Sequence, residues 1–284
     1  MNFRSDNIAS VAPEIMRRMV EANVRSAGGY GADEVTGRLD RVFSDLFEAP
    51  VRVYPVVTGT AANALALSVL VPPFGAVYCH RDSHVNNEEC GAPEFFTGGA
   101  KLIPLPGERA KIDLGALEAA LTRGGKDDVH YTQPSALSLT QQTEEGAIYG
   151  IDELQAFAEC AKGHGLGLHM DGARFANAVV ALDCAPADLT WRAGIDLLSF
   201  GATKNGAMAV EGVVLFKPEL AEEFGYRHKR AGQLVSKMRF LSVQLEAYLA
   251  DGLWLKLASN ANLMARRLAQ GLTALPQAEL LGPV

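Results

Sequence analysis

No long basic run occurs in this chain of 284 residues, and its net charge is −7. That argues against nucleic acid or an anionic membrane as the main partner, although a local site can still hold a small anion. No uninterrupted apolar run reaches the roughly 18 residues of a membrane span. Cysteines are few: Cys79, Cys90, Cys160 and Cys184, none in CxxC spacing. A disulfide framework is therefore not expected, and the four read as buried or free thiols in a reducing compartment. The opening MNFRSDNIAS lacks the apolar stretch of a signal peptide, so a cytoplasmic location is expected. Internal repeats and low-complexity tracts are absent. What is present is 48% apolar and 21% charged residues. That suits one large domain with a real core, or a large domain plus a fragment of a second.

Nearly continuous apolar runs alternate with helical patterns. Strands are expected at 51–57, 76–79, 101–105, 129–132, 166–170, 196–200 and 212–216. Runs of this kind suit strands covered on both faces. Helices are expected at 60–71, 113–123, 151–163 and 186–193, with Asp113 and Asp152 as N-caps. The alternation predicts a three-layer α/β domain with a mostly parallel sheet. From Arg239 the pattern is helical until Pro276, and AELLGPV reads as the start of a strand. A second domain is thus expected to begin, incomplete, at the end of the chain.

Five features carry chemistry. Asp171 ends the strand LGLHMD, where α/β proteins bind ligands. It could equally cap a helix beginning at Gly172. Lys204 follows the strand DLLSF among small residues that leave room for a flat cofactor. Desolvation there favours a nucleophilic amine, while the bland reading is a solvated loop lysine. Thr58-Gly59-Thr60 joins a strand to a helix, and its hydroxyls and the free helical amides suit a phosphate. A plain turn would look the same. His84 could stack on a ring, carry protons or bind metal. His80, Asp82 and His84 have HxDxH spacing, which on an extended strand aims the three side chains one way, as for a metal. Lastly, Arg227, His228, Lys229, Arg230, Lys237 and Arg239 form the one positive cluster, mostly solvated, with one or two positions free to meet an anion.

In order along the chain, TGTAAN, the histidine in YCHRDSHVNNEECGAPEFF, DGAR and the lysine in LSFGATKNG resemble the threonine aldolase and β-eliminating lyase family of fold-type-I pyridoxal-phosphate (PLP) enzymes. The resemblance runs from Arg4 to about Leu268 and is greatest to the members that cleave phenylserine. It implies the aspartate aminotransferase fold: an N-terminal arm and large PLP-binding domain over 1–240, then an interdomain helix and truncated small C-terminal domain over 241–284. It implies that Lys204 holds PLP as a Schiff base and that Asp171 pairs with its ring nitrogen. It further implies that His84 stacks on the ring and that Gly59 and Thr60 hold the phosphate. Ser5 and Arg174 would contact the substrate carboxylate or the cofactor. Tyr30 and a basic residue within Lys229–Arg239, here Arg239, would complete the site across a subunit interface. The assembly would be a homodimer or homotetramer.

This chain departs from the family in the turn Gln142-Thr143-Glu144-Glu145. Many members place a histidine there, near the substrate hydroxyl. Glu144 takes that position, so proton handling would fall to His84, Glu144 or a water. A further arginine of the small domain is absent. The reaction implied is cleavage of L-3-hydroxy-α-amino acids, threonine or phenylserine in type, to glycine and an aldehyde. The alternatives are PLP-dependent β-elimination, a metal-dependent hydrolase built on His80, Asp82 and His84, and a fold that binds PLP without turnover.

Overall fold

The computed structural model describes residues 4–123 and 125–284. Residues 1–3 of the expected N-terminal arm lie outside them. Seven strands form one sheet: β1 (Arg52–Val56), β2 (Gly75–His80), β3 (Lys101–Leu105), β4 (Gln133–Thr140), β5 (Gly167–Gly172), β6 (Leu197–Phe200) and β7 (Glu211–Leu215). Their order is β1-β7-β6-β5-β4-β2-β3. Strands β3, β2, β4, β5 and β6 run parallel. Strand β7 is antiparallel to both β6 and β1. Two reversals restore the direction, so the carboxyl ends of β1, β2, β4, β5 and β6 open on the same edge. Helices cover both faces, which is why β2, β6 and β7 are buried along their whole length. No helix among the described residues is long and apolar enough to cross a membrane.

The expected strand at 129–132 is a turn instead, and Val129 lies 94% exposed. The strand is the next segment, QPSALSLT, which buries Ala136, Leu137 and Leu139. Pro134 and two serines hid it, because its apolar content is lower than that of VHYT. Segment 186–193 forms only a 3₁₀ turn, Trp191–Ala193. There the Thr190 hydroxyl donates to the carbonyl of Pro186, an alternative to helical bonding. Asp113 does cap its helix, accepting from Ala116 N at 2.7 Å. Asp152 does not: Gly150 is the N-cap, Glu153 accepts from its amide, and Asp152 sits in the first turn. Residues 276–284 contain no strand.

The Gly59–Leu70 helix lies across the sheet and is buried from Ala62 to Ser68. On the other face Phe43, Phe47, Phe175, Phe200, Tyr248 and Trp254 form one aromatic cluster, with Phe43 and Phe200 edge to face at 5.2 Å. The helix expected from Arg239 is two helices, Arg239–Leu249 and Leu253–Thr273. They break at Asp251 and Gly252, both with positive φ.

Candidate active site

At the carboxyl edge of the sheet, the ends of β1, β5 and β6 enclose a cavity of about 250 Å³. Its walls include Asn7, Thr58, Gly59, Thr60, His84, Asp171, Ser199, Thr203, Lys204 and Glu211. Five of the expected site residues therefore meet in one place: Gly59, Thr60, His84, Asp171 and Lys204. Asp171 stands at the carboxyl end of β5, and the others follow the ends of β1, β2 and β6 within a few residues. Asp171 is the penultimate residue of β5 and is 4% exposed. Its Oδ1 accepts from Ala173 N at 3.0 Å, so it fixes the turn rather than capping a helix from Gly172, which is still strand. Lys204 lies in a 3₁₀ turn, Thr203–Asn205, and is half-buried. Beside it Gly201 has no space for a side chain, since a Cβ there would stand 2.4 Å from the Ala173 carbonyl oxygen.

The Gly59–Leu70 helix begins at the cavity wall. Thr58 is its N-cap, its hydroxyl accepting from Ala61 N at 3.1 Å. The amides of Gly59 and Thr60 have no partner within the helix. A Cβ at Gly59 would meet nothing within 4 Å, so the space over the helix start is open. The first turn holds no acidic residue to compete with an anion.

Sequence reading missed the residue that holds His84. Glu89 is fully buried in its side chain, and its Oε1 lies 2.9 Å from His84 Nδ1. Asn63 Nδ2 donates to the same Oε1 at 2.8 Å and to Asp171 Oδ2 at 2.9 Å. One amide thus joins two carboxylates. The bond to Glu89 raises the pKa of His84 against the opposing effect of burial. Burial pushes the Glu89 carboxyl up, while the His84 and Asn63 bonds pull it down. Glu89 follows His84 by five residues within a polar stretch, past the end of the helix His84–Asn87 and just before a turn at Cys90 and Gly91, both at positive φ. Glu144 comes close to this group: its Oε1 accepts from the His84 amide at 2.8 Å. Desolvation raises its pKa.

Two further buried groups lie close to the site. Glu211 accepts from Ala202 N at 2.6 Å, under the turn that carries Lys204, and burial pushes it up to about 7. His169 lies behind Asp171, between Ser138 and Ser199 at 2.9 and 3.0 Å, and burial pushes it down to about 4.

The other expected residues lie elsewhere in the single chain. Arg174 is paired with Asp6 at 2.7 Å. Ser5 caps the short 3₁₀ turn Asp6–Ile8, its hydroxyl accepting from Asn7 N, and of that arm Asn7 lines the cavity. Tyr30 is exposed, with Lys229 Nζ 4.5 Å from its ring centre. Arg239 borders a separate groove with Arg25, Asp33 and Glu34. The HxDxH reading fails on geometry. The strand ends at His80, Asp82 lies in a turn, and His84 begins a helix, so the side chains do not share a side. His80 Nδ1 accepts from Asp82 N. Among the described residues no group of three or more His, Cys, Asp or Glu is placed to hold a metal.

The residues present fit PLP. An amine can hold its aldehyde, a buried carboxylate can face its ring nitrogen, and a helix N-terminus with open space above Gly59 can take its phosphate.

Comparison with known proteins agrees. A model of the β-eliminating lyase family matches residues 2–281. The chain is 46% identical over 283 residues to the low-specificity L-threonine aldolase of Pseudomonas sp. (strain NCIMB 10558), covering 99% of this chain and 81% of that protein. It superposes on threonine aldolase from Leishmania major with a TM-score of 0.89 at 30% identity, over 95% of this chain and 78% of that one. Aspartate aminotransferase from Thermus thermophilus shares the fold, with a TM-score of 0.72 at 17% identity, over 94% and 70% of the two chains.

Proposed function

Because the chain belongs to the β-eliminating lyase family and is a PLP-dependent lyase, we propose that it cleaves L-3-hydroxy-α-amino acids to glycine and an aldehyde. Threonine and phenylserine are the types of substrate meant. One observation carries the reading: Lys204, Asp171, His84 and the Gly59–Thr60 helix start line the same cavity. The 46% identity to a threonine aldolase supports it.

PLP, when bound, supplies a conjugated ring that accepts the electron pair of the breaking bond. The protein's residues do the rest. Lys204 holds the cofactor through its amine, and Asp171 keeps the ring nitrogen protonated. Gly59 and Thr60 bind the phosphate. The substrate loses its β-hydroxyl proton, its Cα–Cβ bond breaks, the aldehyde leaves, and Cα takes a proton to give glycine. His84, on the cavity wall, would stack on the ring and take the hydroxyl proton. Its Nδ1 is committed to Glu89, so Nε2 is the nitrogen left for proton transfer. Glu144, bonded to the His84 amide, is the second candidate for that proton.

Arg174 and Ser5 contact the substrate carboxylate in this reading, with Asp6 orienting the guanidinium. Tyr30 and Arg239 do not line the cavity of their own chain, so in this reading they serve the site of a partner subunit in a homodimer or homotetramer.

The test is a product assay on the purified protein with added PLP. Glycine with acetaldehyde from threonine, or with benzaldehyde from phenylserine, is expected, and Lys204→Ala should abolish it. Ammonia with the 2-oxo acid of unbroken carbon skeleton, 2-oxobutanoate from threonine or phenylpyruvate from phenylserine, in place of glycine would replace this reading with β-elimination.

A further inference from the structure

We propose that Glu89 is a positioning residue that holds His84 as the Nδ1–H tautomer, leaving Nε2 as the working nitrogen. The proposal deepens the reading of the same site, and its catalytic consequence rests on that reading.

The geometry carries it. A carboxylate only accepts hydrogen bonds, so a contact of 2.9 Å from Glu89 Oε1 to His84 Nδ1 requires the proton on Nδ1. When the ring is neutral, Nε2 is then the bare nitrogen. Glu89 has no other task for its side chain. Its partners are His84, on the cavity wall, and Asn63, which also bonds Asp171 of that wall, and its Oε2 is buried without a partner. A buried carboxylate with one oxygen unpartnered is costly. A neutral residue of similar volume would fill the same space at less cost, so a purely structural role does not account for it.

The groups facing His84 from the packed elements set the sign. Glu89 bonds Nδ1, and Asp171 acts on the ring from β5. Glu88, which is exposed, lies 3.6 Å from Nε2. Glu144 holds the His84 amide. Lys204 opposes protonation. Around Glu89 itself stand Asn63, Asp171 and His84. Only Glu89 both contacts a ring nitrogen and is shielded from solvent.

The test is a long-range ¹H–¹⁵N spectrum of the full chain with ¹⁵N-labelled histidine, taken across pH without added cofactor. His84 is assigned by its loss in His84→Asn. The expected result is an Nδ1–H tautomer in the wild type. In Glu89→Gln the midpoint of His84 should fall by about one pH unit, about tenfold in proton affinity. An Nε2–H tautomer in the wild type overturns the proposal, and so does an unchanged midpoint in the variant. Should Glu89→Gln not fold, the wild-type tautomer alone decides. In the enzyme assay, the acid limb of kcat/KM should move down with the midpoint. A variant whose midpoint falls while that limb stays put supports the Glu89–His84 pair and instead refutes His84 as the proton carrier.

Discussion

Removing Asn63 should cost more stability than its small size suggests. The side chain is 2% exposed, and both its amide hydrogens are used, on Glu89 and on Asp171. The orientation is fixed, since two carboxylates can only accept. In Asn63→Ala both bonds vanish, at about 1.5–3 kcal/mol each for bonds to charged groups. Part of this is offset because the Asn63 Oδ1, itself buried without a partner, is removed as well, worth about 1–3 kcal/mol. The net loss is about 2–3 kcal/mol. That corresponds to roughly 3–5 °C in Tm for a chain of 284 residues. Urea titration and calorimetry at pH 7 measure it. Asn63→Asp adds a third carboxylate to the group, so its deficit should exceed that of Asn63→Ala at pH 8 and shrink toward pH 5. A loss under about 0.5 kcal/mol for Asn63→Ala, the size of an ordinary surface change, would refute the reasoning.

Two other buried groups give opposite pH responses. Glu211 has a folded pKa raised to about 7, so its contribution is full below the unfolded value of 4.5 and is lost as pH rises through 7. Glu211→Gln should therefore gain on the wild type by up to about 3 kcal/mol between pH 4.5 and pH 8, and parallel urea-midpoint curves would contradict this. His169 has a folded pKa depressed to about 4, so its contribution is present above 6.5 and lost as pH falls through 4. His169→Gln should flatten the acid loss of stability over that window by about 3 kcal/mol, seen as a smaller fall in Tm from pH 7 to pH 4.

Six of seven strands were legible because each is a compact apolar run. Strand β4 was not, since Pro134, Ser135 and Ser138 dilute it and its burial depends on β2 and β5 lying on either side. In the site, Asp171 stands at the end of its strand and Gly59 and Lys204 a few residues after theirs, so the α/β pattern alone aimed them at one edge. Glu89, Asn63 and Glu211 gave no such signal. Asn63 lies inside a helix of small apolar residues, and Glu211 opens a strand that reads as apolar. Their partners come from 26, 108 and 9 positions away, respectively, along the chain. Pairing across those distances is a property of the fold, not of local spacing. The HxDxH pattern failed for the converse reason: the spacing is right only if the strand continues, and it stops at His80.

The central claim is that Lys204 holds the cofactor, and trapping tests it most directly. The protein is incubated with PLP, reduced with borohydride, digested and mapped by mass spectrometry. A phosphopyridoxyl group on Lys204, and its loss in Lys204→Ala, is the result expected. Labelling that falls on other lysines, or persists unchanged in the variant, would contradict the account.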